Sequence, residues 1–99
     1  MLLKEQGSLL KIPYRDILYV ESCKDYVKIV TPAKTYLHHE TMKGMAELLG
    51  AQFVQAHRSF IVAAAHIKLL QPEQLVLTTG EEIPVGNSYQ ADLLTFFKK

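Results

Sequence analysis

Short apolar runs separated by turn-forming residues dominate the first two-thirds of the chain, a pattern that predicts β-strands. "SLLKIP" follows Gly7, "DILYVES" follows "YRD", and "YVKIVT" and "KTYLHH" flank a "PA" pair in which Pro32 can preset a turn. In "DILYVES", Ile17 and Tyr19 share one face and Leu18 and Val20 the other, so this strand is expected to be covered on both sides. After "HHE" the period changes. Met42, Met45, Leu48 and Leu49 recur at helical spacing behind Thr41 as N-cap, with Gly50 placed to end the segment, which predicts a short amphipathic helix over 42–49. Its methionines read as core filler. Strand character returns in "FVQAH", "HIKLL", "QLVLTT" and "EEIPV", with turns at "QPEQ" and "TGEE". The final "NSYQADLLTFFKK" predicts a helix: Asn87 as cap, Gln90 completing a capping box, Tyr89, Leu93 and Phe96 on one face, and Lys98 and Lys99 complementing the dipole. The sum is a mainly β architecture of eight or more short strands with one or two small helices.

With 99 residues, 48% of them apolar and 21% charged, the chain suits one core, so a single domain over 1–99 is expected. The lone Cys23 has no internal disulfide partner, and no C-x-x-C or H-E-x-x-H spacing organises a metal, so no cofactor is expected and a reducing cytoplasm fits best. The longest apolar stretches, "SFIVAAAHI" and "ADLLTFF", fall well short of the roughly 20 residues that cross a bilayer, and no secretory signal pattern opens the chain. No membrane partner is expected. A net charge of +1 argues against a generic polyanion binder but leaves a local basic face open.

Candidate chemistry lies in the turns. His57 and Ser59 together suggest a small hydrolase, but residues two apart are no evidence for a triad, which is defined by spatial geometry, and neither catalysis nor a small-molecule substrate is expected. His38 and His39 are adjacent on a strand and point to opposite faces, so they read as one surface and one packed histidine rather than a metal pair. "SCKDYVK" puts Lys24, Asp25, Tyr26 and Lys28 at one strand junction; "AHRS" puts His57, Arg58 and Ser59 at another; "VGNSY" puts Asn87, Ser88 and Tyr89 at a helix start. Arg can bridge guanine edges or clamp phosphate, Asn can pair with adenine, and hydroxyls and backbone N–H groups can hold phosphate oxygens. The same residues also occur in ordinary solvated turns. The alternative to DNA binding is a protein-interaction module that pairs an exposed sheet edge with another strand.

Taken in order, "DILYVES-x3-YVKI", "F-V-x-x-HRSFIV" and "IPVGNSY" resemble the LytTR family of bacterial DNA-binding output domains, over about Ile12 to Phe97. The resemblance implies an elongated fold of packed antiparallel sheets with small helices, in which connecting loops rather than a recognition helix enter the grooves of double-stranded DNA. It implies a transcription regulator, commonly the C-terminal part of a two-component response regulator, with the receiver or sensor domain lying outside this chain. By motif position, Lys24, Asp25, Tyr26, Lys28, Arg58, Ser59, Asn87 and Ser88 would contact DNA, while Phe60, Ile61 and Val62 anchor the central loop. His57 is expected to turn back and hold that loop. Family habit implies two copies on repeated half-sites and a possible homodimer on DNA. The chain departs from the family pattern at Ala63, where many members have Asn, and at Gly86, Asn87 and Ser88, where many carry Arg.

Overall fold

The computed structural model describes residues 1–98, in an elongated body measuring 42 × 23 × 21 Å. The chain opens with a hairpin of β1 (Leu2–Glu5) and β2 (Ser8–Lys11). Gln6 (φ 49°) and Gly7 (φ 82°) close it in the left-handed region that suits a two-residue hairpin turn. The hydrophobic pattern did not predict β1, because its only buried side chain is Leu3 and Leu2 is exposed.

Next come β3 (Tyr19–Cys23), β4 (Tyr26–Val30) and β5 (Thr35–His38), then α1 (Met42–Leu49), β6 (Phe53–His57) and β7 (Phe60–Ala63). These strands form a fully antiparallel five-stranded sheet in the order β5-β4-β3-β7-β6. The remaining strands, β8 (Ile67–Leu70), β9 (Gln74–Leu77) and β10 (Glu82–Pro84), make a three-stranded sheet in the order β10-β9-β8, and α2 (Gln90–Phe97) ends the described chain. The mainly β architecture read from the sequence is the observed one.

Two cores flank the five-stranded sheet. On one side Leu3, Ile12, Ile17, Val20, Ile29, Met45 and Ile61 pack together under the first hairpin and α1; on the other Leu18, Val54, Val62, Leu75, Ile83 and Leu93 pack between the sheet, the second sheet and α2. Burying each such side chain contributes about 1.5–3 kcal/mol. The expectation that "DILYVES" is covered on both sides holds, but its face assignment does not: Ile17 sits with Val20, and Leu18 with Tyr19. The strand starts only at Tyr19, so strict alternation begins two residues later than assumed.

The α1 helix matches its predicted span, with the Thr41 hydroxyl accepting from the Gly44 N–H at 3.0 Å. Leu48, expected on the apolar face, is exposed, and Met45 and Leu49 carry the packing. Asn87 does not cap α2. It begins a 3-10 turn, Asn87–Tyr89, and the helix follows without a side-chain cap. Gln90 spends its amide on the Pro72 carbonyl in the β8–β9 turn, 2.5 Å away, rather than on a capping box. Lys98 is the C-cap residue of α2, and Lys99 lies outside the described residues.

Candidate nucleic-acid interface

The three polar turns singled out in the sequence converge on one end of the five-stranded sheet, because of strand pairing. Cys23 pairs with Tyr26, so Lys24 and Asp25 form a two-residue hairpin turn at the end of β3 and β4. Lys24 takes φ 56°, the left-handed conformation that tight hairpin turns require. Glu21 pairs with Phe60, and the Ser22 N–H donates to the Ser59 carbonyl at 2.9 Å, which puts the β6–β7 turn beside the β3–β4 turn.

A β-bulge brings in the third segment. Gln55 pairs with Ile61 and His57 with Phe60, leaving Ala56 as the extra residue. A bulged residue leaves the ladder, and here the Ala56 carbonyl accepts the Gly86 N–H at 2.9 Å. Asn87 and Ser88 are thereby drawn alongside the Arg58 turn. Gly86 is tightly enclosed: a Cβ there would lie 3.0 Å from the Tyr89 ring.

The Arg58 turn is held from behind. The Ser59 N–H donates to His57 Nδ1 at 3.1 Å, and the His57 ring meets Phe60 edge-on at 5.8 Å between centroids. His57 therefore turns back to hold the loop, as expected. The ring nitrogen nearest the serine is engaged by its backbone N–H, not its hydroxyl, so the pair does not form a nucleophile and base. Among the described residues no three His, Cys, Asp or Glu side chains gather in a metal-ligating group.

The side chains of Lys24, Asp25, Arg58, Asn87 and Ser88 are exposed and make no hydrogen bond or ion pair with any described residue. Tyr26 is 48% exposed and meets His39 edge-on at 5.2 Å. Ser59 is half-buried at the turn's inner side. Lys28 stands apart from this group. It lies within β4, opposite Glu21 and Leu37, set back from the turn. The Ala63 departure also lies away from the turns: Ala63 is buried at the far end of β7, its N–H donating to the Leu18 carbonyl at 3.0 Å.

Two residues of this end were given no part in it by the sequence reading, in which His39 figured only as the strand neighbour of His38; it lies just past β5. His39 buttresses Tyr26, and Gln55 donates its amide to the carbonyls of His57 at 3.2 Å and Arg58 at 3.4 Å. Neither carries a local signal, because each acts through a partner fixed by pairing or by the bulge. No described helix is long and apolar enough to cross a membrane.

Comparison with known proteins gives consistent results. Residues 7–98 match the family model described as LytTr DNA-binding domain. Sensory transduction protein LytT of Bacillus anthracis is 31% identical over 94 residues, covering 89% of this chain and 38% of that protein. LytT of Bacillus subtilis strain 168 is 28% identical over 92 residues, covering 87% of this chain and 38% of that protein. A solved LytTr DNA-binding domain from Bacillus cereus superposes with a TM-score of 0.85 at 26% identity, covering all of this chain and 96% of that one.

Proposed function

The chain belongs to the LytTr DNA-binding domain family, and from that membership we propose that it reads duplex DNA through the three turns at one end of its five-stranded sheet. The observation carrying this reading is the convergence of Lys24, Arg58, Asn87 and Ser88, all exposed and unpaired, on one end of the sheet. The β3–β4 and β6–β7 turns are separated by two strand intervals, about 10 Å at the usual spacing. That separation fits within a major groove about 12 Å wide.

Roles follow from side-chain chemistry. Arg58 offers a planar fork for guanine O6 and N7 or for a phosphate, and Lys24 a point charge for phosphate. Asp25 only accepts, so it suits a cytosine amino group and repels phosphate. Asn87 suits an adenine edge, Ser88 and Ser59 a phosphate oxygen, and Tyr26 a sugar or phosphate contact. Lys28, two residues up its strand, adds positive field rather than a base contact.

The chain spans 38% of the length of the curated relatives it matches. In this reading it is the output part of a cytoplasmic response regulator in a two-component system, with two copies meeting on repeated half-sites. Sedimentation with a two-site duplex should give a 2:1 complex, whereas a stable dimer without DNA would contradict assembly on the operator.

A strand-pairing module is the second reading, favoured by β5, which is a sheet edge with Leu37 62% exposed. That edge is only four residues long and is bounded by Lys34 and His39, features that discourage edge pairing.

Selection of bound duplexes from a random library tests the proposal. An enriched motif is expected, with log affinity falling by about 0.9 per neutralised phosphate for each unit of log salt. Failure to enrich any motif would overturn sequence-dependent reading.

A further inference from the structure

We propose that Gln55 is the positioning residue of the DNA-reading turn, fixing where Arg58 points without touching DNA itself. The inference rests on the function proposed above. Gln55 lies on β6 just before the bulge, half-buried, with its backbone in register opposite Ile61. Its Nε2 donates to the carbonyls of both His57 and Arg58, at 3.2 and 3.4 Å.

The orientation of this amide is fixed by chemistry. Both neighbours are carbonyl oxygens, so only the NH2 end can face them. One side chain thus ties together two consecutive peptide units of the turn that carries Arg58, and the His57 ring holds the second of these from its other end through the Ser59 N–H at 3.1 Å. The turn is braced from the protein side. A guanidinium that must meet two acceptors of one base gains from a backbone already held in place, because less ordering is left to binding.

Gln55→Met keeps the side chain's length and removes both N–H donors. Losing a hydrogen-bonding group of this kind weakens an interaction by about fivefold, so the variant should bind the selected duplex about fivefold less tightly, with binding to random duplex unchanged. The deciding comparison is a double-mutant cycle with Arg58→Ala. In the Arg58→Ala background, Gln55→Met should change affinity less than twofold. An equal loss in both backgrounds, or no loss in either, would overturn the proposal.

A second readout needs no DNA. Gln55→Met should speed amide exchange at Ser59 while leaving exchange at Val20 and Ile61 unchanged; unaltered Ser59 exchange would also overturn the positioning role. If wild type and Arg58→Ala bind every duplex alike, the DNA reading is what has failed, and Ser59 exchange still judges Gln55.

Discussion

The two ends of the five-stranded sheet treat their polar residues in opposite ways. At the far end, several polar side chains bond within the fold, although the Arg15 side chain stays exposed: His66 bonds the Arg15 carbonyl at 3.1 Å through Nε2, Thr78 approaches the same ring at 3.5 Å, and the Thr31 hydroxyl donates to the Lys34 carbonyl at 2.7 Å. At the near end, Gln55 and His57 bind turn backbone, while Arg58, Lys24, Asn87 and Ser88 keep their groups unengaged. One end closes the fold. The other bonds its turn backbone from behind and leaves these four side chains exposed.

The strongest way to break this contrast is to damage what both ends share. Ile61 is 1% exposed and sits between Val20 and Gln55 in the sheet. Ile61→Ala should lower stability by about 2–5 kcal/mol in chemical denaturation, in line with buried Ile truncations. Intact stability would mean that the two ends are not coupled through this strand.

Arg58→Ala should sharpen the contrast instead. Binding to the selected duplex should fall by about 1–3 kcal/mol if Arg58 reads a base, while denaturation shifts by no more than about 0.5 kcal/mol, as for other exposed sites. A variant that binds normally would remove Arg58 from the interface.

His66→Ala is the converse test. Loss of its contact to the Arg15 carbonyl should cost about 1 kcal/mol of stability and leave DNA affinity unchanged; weaker binding without lost stability would place the interface at the wrong end. The smallest effect belongs to Lys34, whose exposed pair with Glu5 spans 3.4 Å. Lys34→Ala should change stability by less than about 1 kcal/mol, and a larger loss in the same denaturation series would show that the far end depends on surface charge.

Much of this was legible locally. Helix α1 and strand β6 have the spans their patterns predict, since Thr41 and Gly50 mark the helix and Phe53, Val54 and Ala56 supply the buried run. Residue type alone singled out all three turns, and the motif resemblance implied DNA contact for them. Asn87 misled because it lies inside a 3-10 turn whose cap position is Gly86, and the chain from Gly86 is committed to the bulge carbonyl of Ala56 before α2 begins. Convergence of the turns depends on pairing Tyr19, Val20 and Glu21 with Val62, Ile61 and Phe60, some forty positions apart in sequence. No local periodicity encodes that register or the bulge, and the bracing by Gln55 follows from both.

The most direct test of the account is backbone amide shift mapping by NMR during titration with the selected duplex. The account predicts the largest shifts at Lys24, Asp25, Tyr26, Arg58, Ser59, Asn87 and Ser88, with Arg15, Ala65 and His66 nearly still. Shifts concentrated at Arg15 and His66, or along the β5 edge at Thr35 and Leu37, would contradict it.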